Sequence, residues 1–143
     1  MAAESVLKSR SDIESEISRA LIHFEKEFMG RGPVETRTYI VDDMILVRLK
    51  GVLTPAEQTL TKSKSARSAY LLKQVRNELL ASCRPMLEEL LSDIVNVRVL
   101  SIHTDISTKT GERVIVFTLN DKPDFDCMNT AASRGRALPR KAL

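Results

Sequence analysis

The segment 34–49 restricts the fold of this chain more than any other. Residues 34–41 carry the β-branched Val34, Thr36, Thr38 and Ile40, and residues 44–49 are almost wholly apolar. Only Asp42-Asp43 lies between them. Two residues with turn chemistry suffice to reverse a strand, so the segment reads as a β-hairpin. A second hairpin is predicted where 97–106 and 113–119 flank Ser107-Thr108-Lys109-Thr110-Gly111-Glu112.

Helical patterns surround the hairpins. Ile13, Ile17, Ala20, Leu21, Phe24 and Phe28 recur at spacings of three and four, the stripe of an amphipathic helix. Ser11 or Asp12 is the expected cap, and Gly30, Gly32 and Pro33 stop the helix. After Leu53, the run Thr54-Pro55-Ala56-Glu57 combines a capping hydroxyl, a proline at the first helical position and a return acceptor three residues on. It predicts a short helix to about Leu60, ended by residues 61–65. A long helix follows over 66–92, with a stripe of Leu71 or Leu72, Val75, Leu79, Cys83, Leu87, Leu90 and Ile94. Pro85 predicts a kink or break near Cys83, and Asn96 is the candidate C-cap.

The order α-β-β-α-α-β-β predicts an α+β fold: a two-layer sandwich whose four-stranded sheet comes from two hairpins, with helices on one face. At 143 residues the chain suits one domain. That domain is placed at 11–122, after a flexible lead-in at 1–10. Residues 123–143 read as a flexible basic tail containing Arg134, Arg136, Arg140 and Lys141.

Pleating carries the argument toward assembly. Ile115, Phe117 and Leu119 face one way; Val114, Val116 and Thr118 face the other. In the first hairpin, Ile45, Val47 and Leu49 oppose Met44 and Leu46. A sheet with one wet face should alternate cleanly between apolar and polar. Here both faces are partly apolar, and helices cover only one. Met44, Leu46, Val114 and Val116 are therefore the expected oligomer face, occupied by a second copy in a homodimer or larger assembly.

Charge and composition exclude more than they assign. The net charge is +3, too small for a dedicated polyanion binder. Residues 48–76 hold seven basic side chains (Arg48, Lys50, Lys62, Lys64, Arg67, Lys73, Arg76) against the single acid Glu57. Within them, Lys62, Lys64, Ser65 and Arg67 lie at a helix start and form a candidate anion or partner-docking patch. No stretch approaches the roughly 18 apolar residues of a spanning helix, and the N-terminus lacks a signal-peptide core. A soluble, cytoplasmic chain is expected. Cys83 and Cys127 have no metal-binding spacing.

Catalytic constellations are weak. Ser101, His103 and Asp105 alternate on one predicted strand face. Residues two apart on a strand stand about 6.6 Å from each other, beyond the reach a triad needs. They read instead as a polar outer sheet face, with Leu100, Ile102, Thr104 and Ile106 inward. Two histidines, His23 and His103, do not make a metal site. No phosphate-cradling glycine motif occurs. The sequence thus points to no catalytic residue, metal or cofactor. Nucleic-acid or ribosome association is the alternative, although aromatic residues are only 4% of the chain and single-strand readers need stacking surfaces.

Several pieces together resemble one family. They are Gly30-Arg31-Gly32-Pro33 after an amphipathic helix, Asp42-Asp43-Met44 leading into an apolar strand, 51–60 (Gly51-Val52-Leu53-Thr54-Pro55-Ala56-Glu57-Gln58-Thr59-Leu60), and a closing Val116-Phe117-Thr118-Leu119. Over roughly 11–120 they resemble the MpsC-type domain, long catalogued as a domain of unknown function. The resemblance implies a non-enzymatic accessory protein of a sodium-translocating, membrane-potential-generating system. It implies a membrane-protein partner and a place at the inner face of the membrane, and it carries over no catalytic residue. A glycine would be expected to close the long helix near Asn96, and none is present.

Overall fold

The computed structural model describes residues 8–63 and 65–125. Its elements are α1 (Arg10–Phe28), β1 (Glu35–Val41), β2 (Met44–Lys50), α2 (Pro55–Lys62), α3 (Ala66–Val95), β3 (Val99–Ile106) and β4 (Arg113–Leu119). The α+β order expected from the sequence is the observed one. The four strands form one antiparallel sheet in the order β1-β2-β4-β3, so the two hairpins join through β2 and β4. α1 packs on β1, α3 packs on β3, and α1 touches α3. The core lies between this helix layer and the sheet.

Local chemistry explains each boundary. The cap of α1 lies two residues before Ser11 and three before Asp12. Ser9 is its N-cap, and Asp12 serves instead as the third residue of a capping box, accepting from the Ser9 backbone. Arg10, read as lead-in, is already helical. Asp42 turns the first hairpin at φ 53°, a left-handed conformation that aspartate tolerates. Thr54 and Glu57 form the expected capping box, with Pro55 at the start of α2. Asn96 takes the left-handed cap at φ 56°, which supplies the geometry for which a glycine was expected.

α3 overturns the expected break and part of the expected stripe. It runs unbroken for 30 residues through Pro85. Proline removes the bond that the Ala81 carbonyl would accept, but both residues are exposed, so water can satisfy the carbonyl. Leu72 and Leu80 anchor the helix before Pro85; Leu87, Leu91 and Val95 anchor it after. From Cys83 onward the predicted stripe faces the core, with Leu87 buried and Cys83, Leu90 and Ile94 packed against it. Before Cys83 the buried stripe sits one residue from the predicted Val75 and Leu79, and of the two leucines offered Leu72 is the buried one. Leu71, Val75 and Leu79 are exposed, whereas Leu72, Arg76 and Leu80 are buried. The ion pairs of Arg76 described below hold that face inward.

β3 holds a third correction. Val99 pairs with Leu119 and Ser101 with Thr118, so a bulge falls between them at Leu100. One extra residue reverses the pleat locally. Val99 is buried in the inward position expected for Leu100, and Leu100 is 48% exposed. From Ser101 onward the alternation is as expected.

Candidate interaction surface

Antiparallel register places the side chains of the outer sheet face in rows. The outermost row crosses Val41, Met44, Thr118 and Ser101. The middle row crosses Tyr39, Leu46, Val116 and His103, and the third crosses Arg37, Arg48, Val114 and Asp105. Met44, Leu46, Val114 and Val116 are therefore neighbours on one surface. All four are half-buried, whereas the residues beneath them (Ile45, Val47, Ile115 and Phe117) are fully buried on the helix side. Tyr39 and Val41 extend the apolar surface to the β1 edge, at 39% and 48% exposure. The helix contacts are to the other side of the sheet, so no described helix covers this face.

Charge gathers at one end of it. Arg48 donates to Glu112 at 2.6 Å, Arg37 to Glu35 at 2.6 Å, and Lys50 lies 4.0 Å from Glu35. These pairs lower the pKa of Glu112 and Glu35, chiefly through the hydrogen bonds from Arg48 and Arg37 respectively.

The β3 flank of the face holds the serine–histidine–aspartate trio. The Ser101 hydroxyl is 3.0 Å from His103 Nε2, and it also contacts the Thr118 hydroxyl. The strand spacing excluded such a contact, but side chains two residues apart can lean together. A triad still does not assemble. Asp105 turns across the sheet edge to Lys73, 3.2 Å away. The groove beside His103 is lined by Asn77, Leu80, Ala81, Arg84, Ile102 and Thr104, without Asp105.

The basic segment 48–76 is not one patch. Arg48 and Lys50 belong to the sheet face, Lys73 reaches Asp105, and Arg76 is inside the protein. At the α2–α3 junction, Lys62, Ser65 and Arg67 are exposed, and Lys64 lies outside the described residues. Ser65 caps α3 by accepting from the Ser68 N–H at 2.9 Å. The basic tail beyond residue 125, and Cys127 with it, also lies outside them. Among the described residues no cluster of His, Cys, Asp or Glu could hold a metal ion. Nor is any described helix long and apolar enough to cross a membrane.

Sequence reasoning missed a buried charge network. Arg76 clasps Glu57 through Nε at 3.0 Å and Nη2 at 2.6 Å, reaches Glu25 through Nη1 at 3.2 Å, and donates to the Val52 carbonyl at 2.9 Å. Arg113 approaches the other oxygen of Glu25 at 3.5 Å and donates to Thr104 at 3.2 Å. Glu25, Arg76 and Arg113 are each at most 1% exposed. Burial raises the pKa of Glu25 even though Arg113 and Arg76 oppose the shift. Burial also acts to raise Glu57, but its bonds from Arg76 and Thr54 outweigh that and leave it lowered. Burial lowers Arg113, against the opposing pull of Glu25. The four charges join α1, α2, α3 and β4.

Comparison with known proteins places this arrangement in a lineage. The sequence pattern of a family described as "Na+-translocating membrane potential-generating system (MpsC)" matches residues 9–121. The chain belongs to the MpsC family. It is 46% identical to "Uncharacterized protein YbcI" of Bacillus subtilis (strain 168) over 112 residues, which cover 78% of this chain and 89% of that protein. No solved structure matches it significantly. The MpsC match begins at the true cap of α1, Ser9, and ends just past β4. It therefore spans the outer sheet face and the buried network together.

Proposed function

We propose that this MpsC protein is a non-enzymatic accessory subunit that works by contact. It self-associates through its outer sheet face and serves the membrane-potential-generating system for which the family is named, at the inner side of the membrane. The observation that carries this reading is the face built around Met44, Leu46, Val114 and Val116, apolar at its centre and uncovered by any described helix. Contiguous apolar surface of this kind is characteristic of interaction sites. The exposed Lys62 and Arg67 beside Ser65 form the second contact, suited to an anionic membrane surface or an acidic partner.

Leu46→Glu tests the first contact. It should preserve the circular-dichroism spectrum while abolishing self-association in sedimentation experiments. In cells, the same substitution should reproduce the membrane-potential change caused by deleting the gene, read with a voltage-sensitive dye. Self-association unaffected by Leu46→Glu, or a deletion that leaves the potential unchanged, would refute the reading. Reversing Lys62 and Arg67 to glutamate should reduce recovery with membranes and leave the fold intact.

A further inference from the structure

We propose that the occupant of the outer face is a second copy of this chain, related by a two-fold axis that runs parallel to the strands between β2 and β4. This rests on the reading that the chain self-associates through this face, and adds the symmetry and register of the pair.

Two sheets packed face to face keep their strands nearly aligned, about 30° apart. A closed pair then has two principal choices of two-fold axis in the plane of contact. An axis across the strands lays each strand over its own copy and inverts height along it. Arg37 would then lie over Val41, Arg48 over Met44, and Asp105 over Ser101, as the cross-strand rows dictate. Each match buries a charged group against an apolar or hydroxyl side chain, which is unfavourable.

An axis along the strands keeps each row against the same row. β2 of one copy lies over β4 of the other, and β1 over β3. Leu46 meets Val116, Met44 meets Thr118, and Tyr39 meets His103. At both flanks, Arg37 of one copy meets Asp105 of the other. Each flank then carries four charges of alternating sign: Glu35 and Arg37 of one copy, already bonded at 2.6 Å, followed by Asp105 and Lys73 of the other, already bonded at 3.2 Å. Sheet twist shifts the flanking residues along the strand, and the long arginine side chain can span that shift. Arg48 lies over an apolar side chain in both arrangements, Met44 in one and Val114 in the other, so it is the pairing of Arg37 with Asp105 that favours the axis along the strands.

The area is compatible with a reversible pair. Four strands at about 4.8 Å and seven residues at about 3.3 Å outline a face of about 19 by 23 Å. Two such faces bury on the order of 900 Å² in projection, close to the roughly 1,000 Å² lower bound for a specific interface. The dimer should dissociate on dilution.

A mixing experiment reads the axis directly. Arg37→Asp and Asp105→Arg are made in separately tagged full-length chains. Both positions are exposed, and circular dichroism verifies the folds. Each variant alone places like charges at both flanks and should self-associate at least ten-fold more weakly than the wild type. An equimolar mixture restores one cation and one anion at each flank. It should form a dimer carrying both tags, with an affinity within about three-fold of the wild type. If Leu46→Glu abolishes association but the two charge variants pair normally by themselves, the docking face stands and this symmetry falls. If the mixture fails to pair while each variant alone is weakened, the Arg37–Asp105 contact is likewise overturned. A wild-type chain that remains monomeric at several hundred micromolar overturns the second copy as occupant.

Discussion

Glu25→Gln is the substitution that most directly probes the buried network. The amide nearly preserves the volume of Glu25 and removes its charge. Arg76 retains its two bonds to Glu57 and one to the Val52 carbonyl. Arg113 retains only the Thr104 hydroxyl among its described partners, at 1% exposure. Removing one partner from a buried ion pair typically destabilises by about 3–5 kcal/mol, because the remaining charge is uncompensated. That is a large part of the roughly 5–15 kcal/mol that stabilises most domains. With a urea slope of about 2 kcal/mol per molar, the unfolding midpoint should fall by about 1.5–2.5 M. Equilibrium urea unfolding followed by circular dichroism measures the shift. Adding Arg113→Met to Glu25→Gln removes the orphaned cation and should recover part of the loss. A midpoint shift below about 0.5 M, or further destabilisation from the second substitution, would refute the claim that Glu25 compensates Arg113 inside the protein.

Three further outcomes follow from the same structure. Gly51→Ala should destabilise by about 2–5 kcal/mol, because alanine at φ 69° is strained and its Cβ would lie 2.6 Å from Val34 Cγ2; thermal unfolding checks this. Glu57 has a lowered pKa, so its stabilising contribution is complete above its unfolded value of 4.5 and is lost as the pH falls through its folded value. Urea unfolding below pH 4.5 should accordingly show a shallower pH dependence in Glu57→Gln than in the wild type, and equal slopes would count against the assignment. Leu100→Ser should change stability by no more than about 0.5 kcal/mol, whereas Phe117→Ala, at a fully buried position, should cost about 3–5 kcal/mol. A large loss from Leu100→Ser would mean that the bulge is misplaced.

The hairpins were legible because period-two alternation and Asp42-Asp43 agreed, and the helix starting at Pro55 was legible because its capping box is local. The buried face of α3 was not. Leu71, Val75 and Leu79 make as good a stripe as Leu72 and Leu80, and Arg76 falls in the second set. Periodicity alone assigns an arginine to solvent, and only Glu25, 51 residues away, and Glu57 reverse that assignment. A signal was present, since an arginine between two leucines at spacings of four, in a chain with acids on other helices, is the pattern of a buried pair. Leu100 was misassigned because a bulge adds one residue without any glycine to announce it. Met44, Leu46, Val114 and Val116 share the outer face as expected, since outward and inward sets on β2 and β4 follow directly from pleating. The Ser101–His103 contact escaped because backbone spacing does not limit how side chains lean.

The extra stripe on α3 has a consequence of its own. Leu71, Val75, Leu79 and Met86 are all more than a third exposed and form a stripe on α3 apart from its buried face. A particle with apolar patches on two separate elements is bivalent, and joining by one patch does not extinguish the other. Repeated joining through both patches would extend an assembly rather than stop at a pair. The polar residues set among these positions, including Gln74, Asn77, Glu78 and Ser82, interrupt the stripe and oppose such growth.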